Sequence, residues 1–424
     1  MSRARSPIAM QRLQRADQQL GMLACLALQP LRLLPRGAGR RGDLERVLLV
    51  KFWGIGSLQL LTPAVETLRR RHPGARLELL TLRQNGEFAR GLGVFDEVLE
   101  LDVESSSWAP LLARITRTLF ALRRRRYSAL YDFEFFTRFS AVVTAIVGAP
   151  LRAGFASPRV WRGGFHNHTA PFNRYWHVAR NFRCLAGGEN GRAVGHADVA
   201  ASAVDDAARE RVDALLGEEG LSGAGPLVVL NPNAGALSLE RRWPPQHFAE
   251  LATRLARDLD ARIALIGSRS EREWTGEVTA RVGPECTRLA NLAGRLDTAA
   301  LNALLERADL FVGNDSGPMH LAAALGTPTL GLFGPETPVM YEPLGRRARA
   351  LYRPPACSPC INVHDNKLSS CSRGRPECLL NLGVDLVEQS ALALLRGERR
   401  GDDRREVQRS NDAPRGHERE HTTG

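Results

Sequence analysis

The sequence predicts an α/β fold built as two Rossmann-like halves, and three observations carry that expectation. The chain of 424 residues is too long for one ordinary core and suits two domains of Rossmann size plus tails. Short apolar runs that read as buried parallel strands alternate with helical patterns along most of its length. A strand-to-helix turn recurs at Phe52–Ser57, Pro232–Gly235 and Gly313–Gly317, where a doubly wound sheet presents its ligand-facing loops.

The net charge of +12 is unevenly placed. Residues 1–42 hold eight arginines against one acid, Asp17, which points to a local partner and not to a globally basic domain. No apolar run approaches the ~18–20 residues that span a bilayer. Gly21–Leu28 is too short for a signal peptide and lacks a cleavage site, so a cytoplasmic protein is expected. Ile8–Leu34 reads as an interfacial helix, with Leu13, Leu20, Leu23, Leu26 and Leu31 on one side and Arg12, Arg15 and Arg32 reaching anionic headgroups. A helix packed on its own domain, or a disordered arm, fits the same residues. Nucleic-acid binding through this arm is disfavoured, because no nucleic-acid module accompanies it.

Arg46–Lys51 opens the first half as a buried strand, and Phe52–Ser57 turns it into a helix carrying Leu60, Leu61, Val65 and Leu68. Strand Arg76–Thr81, helix Glu87–Leu92, strand Glu97–Leu101 and helix Trp108–Leu122 follow. Arg123–Arg126 suits that helix's C-terminus, as a solvated face or as a contact for a phosphorylated or membrane-bound acceptor. Ala129–Phe136 reads as a strand whose end opens onto the ligand side, followed by helix Phe139–Val147 and a strand within Gly148–Phe155. Ser157–Cys184 shows no period. It is expected to be a long functional loop whose His166, His168 and His177 are too scattered for a metal site.

Glu189–Gly225 marks a linker region with a helix Asp205–Leu216, so the domains are set at 43–200 and 201–396. Pro226–Asn231 opens the second half, and Pro232–Gly235 is a phosphate-type turn. Glu240–Pro245 leads into helix Gln246–Arg257. Strand Arg262–Ile266 ends at Gly267–Glu271, and helix Thr298–Ala308 delivers the chain to strand Leu310–Val312. In Gly313–Gly317 the chain has the backbone freedom and caps of a strand-to-helix turn. The helix Met319–Leu325 stops at Gly326, and Thr329–Phe333 is the next strand. Such a helix N-terminus is a ready anion site, flanked here by Asp315 and His320. Cys357, Cys360, Cys371 and Cys378 form a C-x2-C-x10-C-x6-C cluster open to zinc, an iron–sulfur cluster or disulfides. Helix Val384–Leu395 packs back on the fold. Residues 397–424, with seven arginines against seven acids, read as a disordered tail.

These turns together resemble the ADP-heptose:lipopolysaccharide heptosyltransferase family. The resemblance rests on Asp315-Ser316-Gly317-x-x-His320, on Arg241-Arg242-Trp243-Pro244, on the turn ending at Glu271 and on Asn291–Leu296. In the first half it rests on Lys51, Gly56, Thr62-Pro63 and Leu68-Arg69. It implies a GT-B architecture, with two Rossmann-like domains facing a cleft, an acceptor in the N-terminal one and a nucleotide-diphospho-sugar in the C-terminal one. The reaction implied is inverting sugar transfer, from ADP-heptose or a similar donor, onto a lipopolysaccharide-core or other surface glycan acceptor. Donor binding falls to Asn233, Arg241, Arg242, Glu271, Leu296, Asp315, Ser316, Gly317 and His320. No metal or other cofactor is implied, and the family ranks free or redox-active thiols ahead of structural zinc in the cysteine cluster.

Ser57 departs from the pattern, because many members carry there an Asp proposed as the base. A serine hydroxyl cannot accept a proton near neutral pH, so Glu66, Asp132 and Glu134 become candidates and Glu134 is preferred. Ser57 and Glu134 are thus the expected catalytic pair. The rival readings are a transferase using another nucleotide sugar and a catalytically silent nucleotide-sugar-binding protein.

Overall fold

The computed structural model describes residues 10–33, 44–105, 107–188, 193–235, 239–361 and 371–397. Its first sheet contains β1 (Arg46–Val50), β2 (Arg76–Leu82), β3 (Glu97–Leu101), β4 (Ala129–Asp132), β5 (Leu151–Ala156) and β6 (His168–Pro171). The second contains β7 (Leu227–Asn231), β8 (Arg262–Leu265), β9 (Leu289–Asn291), β10 (Leu310–Asn314), β11 (Thr329–Phe333) and β12 (Ala348–Tyr352). Both sheets are parallel throughout, in the orders β3-β2-β1-β4-β5-β6 and β12-β11-β10-β7-β8-β9. Each half therefore repeats one winding, with the strand order reversing beside its own first strand. In the first half the helices are α1 (Met10–Ala27), α2 (Ile55–Gln59), α3 (Thr62–Arg71), α4 (Gly86–Gly91), α5 (Trp108–Arg124), α6 (Arg138–Val147) and α7 (Val178–Leu185). Then come α8 (Asp206–Glu218), α9 (Pro245–Leu259), α10 (Arg272–Thr279), α11 (Thr298–Arg307), α12 (Gly317–Leu325), α13 (Pro338–Tyr341), α14 (Glu377–Leu380) and α15 (Val384–Leu395).

Helices on both faces explain why β1 and β7 read as unbroken apolar runs: Val47 to Val50 and Leu227 to Asn231 are all buried. Register then fixes what meets at the strand ends. Val50 lies opposite Asp132 and Asn231 opposite Gly313, so the loops after β1, β4, β7 and β10 open at the two points of reversal. Those are the positions at which open α/β sheets bind ligands.

Three expectations need correction. The fourth strand ends at Asp132 instead of Phe136, because the Asp132 side chain turns inward to polar partners and the backbone turns away, with Phe136 at φ +57°. Ser157–Cys184 is not one long loop. It forms β6 and most of α7, fastened by Phe172 and Phe182 against Phe135 and Phe155. The N-terminal helix forms, but its leucines divide. Leu31 packs toward Cys25 and Phe165, whereas Leu20, Leu23 and Leu26 are 59%, 59% and 50% exposed.

The inner side of α1 is polar and small. Asp17 accepts the N–H groups of Arg138 (3.1 Å) and Phe139 (2.6 Å), capping α6 from another helix. Gly21 lets the two helices approach, since a Cβ there would lie 2.7 Å from that of Arg138. The side chains of Arg12, Leu13 and Arg15, residues 34–43, and the expected disordered tail from 398 on lie outside the described residues.

Candidate active site

One cavity of about 1200 Å³ runs between the two sheets. Its wall includes Ser57 and Glu134 from the first half, and Asn233, Arg241, Glu271, Leu296, Asp315, Ser316, Gly317 and His320 from the second. The loops also touch across it. A Cβ on Gly56 would lie 2.7 Å from Cδ2 of His320, and one on Gly317 would overlap Ile55.

In the first half, Glu134 is almost wholly buried where β1 and β4 end. Its Oε1 accepts from Lys51 Nζ (2.9 Å), Phe52 N (2.5 Å) and Trp53 N (3.2 Å). Lys51 in turn lies over the Phe135 ring, 4.7 Å from its centroid. The other two candidate carboxylates are elsewhere. Glu66 is an exposed partner of Arg70 on α3, outside the cavity wall. Asp132 is fully buried behind the site. It pairs with Arg162, shares a 3.0 Å bond with His166 and a 2.9 Å bond with Ser140, and accepts the Glu134 N–H at 3.1 Å. Burial alone would raise the Asp132 carboxyl. The Arg162 charge and the His166 and Glu134 hydrogen bonds outweigh it and hold the group below the usual carboxylate range. Burial pushes His166 down, helped by the charges of Arg162 and Arg152, so a neutral imidazole donates to an ionised Asp132. Asp132 is thereby a positioning residue for the Glu134 backbone.

The second half gathers around the N-terminus of α12. Ser316 is its N-cap in extended conformation and makes no side-chain cap bond, because its Oγ instead accepts from Asn231 Nδ2 at 3.0 Å. Arg241 donates from Nη1 to the Asp315 carbonyl (3.0 Å) and carboxylate (3.1 Å), and from Nη2 to the Ala234 carbonyl (2.6 Å). Asn314 joins the pieces, accepting Trp243 N–H at 2.9 Å and donating to the Asn233 carbonyl at 3.3 Å. Oδ1 of Asn233 and Nε of Arg241 are buried in this corner with no hydrogen-bond partner among the described residues. Buried polar groups left this way are uncommon and mark a place built for another partner. Glu271 is fixed by capping its own turn, with Oε2 accepting from Ser268 N (2.9 Å) and Oγ (2.8 Å).

Arg242 does not line the cavity; its guanidinium sits over Trp274, 4.7 Å from the ring centroid. Consecutive side chains diverge here, so one of the two arginines faces the site. Asn231 and Tyr341, which also line the cavity, escaped the sequence reading. An Asn closing a buried strand was the available signal for Asn231, and nothing local marks Tyr341. Two of the histidines of 157–184 serve the fold: His166 bonds Asp132, and His177 caps α7 through Ala179 N–H (3.3 Å) and bonds the Glu342 carbonyl at 3.1 Å. Among the described residues no group of three His, Cys, Asp or Glu is placed to hold a metal. Cys357 and Cys360 are exposed and Cys378 is buried, its thiol pushed up to about 11 by desolvation. Residues 362–370 of that cysteine segment lie outside the described residues.

Two parallel doubly wound sheets with a polar, helix-capped pocket between them define a class of architecture, the two-lobed GT-B fold. The family model described as glycosyltransferase family 9 (heptosyltransferase) matches residues 115–369, and the chain belongs to that family. It is similar to lipopolysaccharide heptosyltransferase 2 of Escherichia coli, 37% identical over 178 residues, which cover 41% of this chain. That match spans about half the relative's length, 48%. Lipopolysaccharide heptosyltransferase 1 of Pseudomonas aeruginosa is 28% identical over 391 residues, covering 82% of this chain and 98% of the relative. Among solved structures, the fold is shared with E. coli ADP-heptose lps heptosyltransferase II at a TM-score of 0.65 and 22% identity, covering 83% of this chain and 98% of that one. It is also shared with E. coli heptosyltransferase WaaC with ADP-2-deoxy-2-fluoro heptose, at 0.58 and 19%, covering 81% and 98%.

Proposed function

We propose that this protein is an inverting glycosyltransferase that moves a heptose-like sugar from a nucleotide-diphospho-sugar such as ADP-heptose onto a lipopolysaccharide-core or other surface glycan. The observation that carries this reading is the corner at α12, where a helix N-terminus and Arg241, whose buried Nε has no hydrogen-bond partner among the described residues, line the same cavity. A diphosphate accepts from the free amides of that N-terminus and from the guanidinium, while Oδ1 of Asn233 is left to accept from a hydroxyl of the donor. The names of the relatives supply the heptose.

In this reading residues 201–396 hold the donor. Glu271 takes the ribose diol, and Leu296 borders the base. Asn233, Asp315, Ser316 and Gly317 shape the diphosphate pocket, with Arg241 and His320 offsetting its charge. Residues 43–200 present the acceptor. Its hydroxyl oxygen attacks the anomeric carbon while the bond from that carbon to the diphosphate oxygen breaks. The hydroxyl proton passes to Glu134. One oxygen of that carboxylate is held by Lys51 and two amides, so the group is already oriented when the acceptor arrives. Ser57 lies on the same wall and donates a hydrogen bond to the acceptor, which replaces the charge of the family's usual Asp with a neutral contact. The protein works at the cytoplasmic surface of the inner membrane, where a cytoplasmic donor meets a lipid-linked acceptor.

A second reading, a nucleotide-sugar-binding protein without turnover, is favoured by one observation, the serine at position 57. Mass-spectrometric detection of product separates the two. Purified protein is incubated with lipopolysaccharide-core acceptors and ADP-, GDP-, UDP- or dTDP-sugars. One donor class is expected to give a glycosylated product with inverted configuration, lost in Glu134→Gln. Donor binding with no product from any pairing would favour the silent reading.

A further inference from the structure

The cavity is longer than the chemistry above requires, and its character changes along its length. Near α12 the wall is Asn233, Arg241 and Asp315. Past Glu134 it becomes mostly hydrocarbon, with Ala24 of α1 and Leu28 just after it, Leu112 and Ile115 of α5, and Val142 and Ile146 of α6. The whole cavity, at about 1200 Å³, exceeds the ~300–1,000 Å³ typical of a small-molecule pocket. Among its lining residues are exposed apolar side chains that a folded core would normally cover, Leu20 at 59%, Leu112 at 57% and Trp108 at 45%.

We propose that this groove between α1, α5 and α6 receives a fatty acyl chain of a lipid-linked acceptor, whose sugar end reaches Glu134 through the same cavity. This assignment rests on the transferase reading for the identity of the acceptor. Three features favour a chain over other occupants. The walls are mostly apolar, and of their polar residues Asp17 is already engaged by the α6 amides and Thr137 by Ser140, with Thr116 beside them, so contact is chiefly apolar and scales with methylene number. The groove is concave and continuous with the reaction site, unlike a flat face that lies on a bilayer. α1 is held there by specific contacts, the Asp17 carboxylate on the α6 amides and the close approach at Gly21, so the wall exists before ligand arrives. The exposed leucines then sit where the remaining lipid leaves the groove.

The acyl contacts are remote from the reacting carbon and act alike on ground state and transition state, so they govern KM and leave kcat unchanged. The test uses dansyl-tagged undecanoic acid with the full chain, followed by fluorescence. Wild type is expected to bind it, and each shortening by two methylenes to weaken binding by about tenfold. Leu112→Glu, at an exposed position, and Ala24→Trp, which fills the groove, are expected to weaken it at least tenfold while nucleotide-sugar affinity measured by calorimetry stays unchanged. With an acylated acceptor both variants raise KM; with the same acceptor after alkaline deacylation they change nothing. Absence of probe binding in wild type, or equal binding in the variants, overturns the proposal. So does loss of association with anionic phospholipid vesicles in variants that still bind the probe, which would make this a bilayer face. So does a dimer that the variants dissociate, which would make it a contact between copies. Chain-length-dependent probe binding in a protein that turns over no acceptor would keep the groove and remove the transferase reading.

Discussion

Replacing Glu134 with Gln separates two roles that the geometry joins in one side chain. Lys51 and Glu134 are 0% and 1% exposed and 2.9 Å apart. Breaking a buried pair from one side costs ~3–5 kcal/mol, because the remaining charge has no counter-ion. Two features hold the loss toward the lower end. The Gln carbonyl still accepts the amides of Phe52 and Trp53, and the Lys51 cation keeps its place over Phe135, a contact of about 1 kcal/mol. A destabilisation of about 3 kcal/mol is therefore expected, which lowers the melting temperature of a domain this size by roughly 6–12 °C. Removing both charges with Lys51→Met and Glu134→Gln together restores most of that stability, since a matched uncharged pair leaves nothing uncompensated. Turnover behaves differently. If the carboxylate takes the acceptor proton, both variants lose about 10²–10⁴-fold in kcat while donor affinity holds. Calorimetric melting and steady-state kinetics on the three proteins read both quantities. A double variant that recovers turnover along with stability would refute the base assignment and leave Glu134 as an anchor for the loop at 51–53. An unchanged melting temperature in Glu134→Gln would refute the buried pair itself.

The buried Asp132–His166 pair makes stability fall on acidification. His166 is depressed in the fold, so its contribution is present above the unfolded value of about 6.5 and is lost as pH falls. Asp132 is depressed as well and adds a second loss below about pH 4. Melting curves of wild type and His166→Gln are expected to diverge below pH 6.5, and parallel curves would contradict this. Gly56→Ala places a methyl 2.7 Å from the His320 ring, so the loops must part. A drop in kcat of about tenfold, from about 1.4 kcal/mol of misalignment, is expected in steady-state kinetics, with little change in melting. Asp17→Ala removes the cap of α6 and should cost about 1 kcal/mol. Limited proteolysis should then cleave within α1 before the rest of the chain.

Legibility in the sequence followed the range of the interaction concerned. The turn Gly313–Gly317 and the helix behind it were readable because capping, glycine freedom and the helix dipole all act within a few residues. The repeated winding was readable for a similar reason, since parallel strands buried on both faces must be continuously apolar. The strand ending at Asp132 was not, because what ends it is Arg162 and His166, contributed from 30 and 34 residues downstream by a segment without period. The same distance hid the orientation of α1. Its leucines suggested an apolar contact face, but the docking contact is a carboxylate that caps a helix 121 residues away. Arg241 and Arg242 are chemically equal in sequence, and only the position of Trp274 separates the one that faces the cavity from the one that stacks.

The central claim is that the corner at α12 holds a nucleotide diphosphate. Titration calorimetry of ADP-heptose into wild type and Arg241→Ala tests it most directly. Loss of the charge-assisted hydrogen bonds of one guanidinium, worth ~1.5–3 kcal/mol, predicts binding weakened by roughly 10- to 150-fold in the variant, with Arg242→Ala close to wild type. Equal affinity in wild type and Arg241→Ala, or a larger loss in Arg242→Ala, would contradict the account.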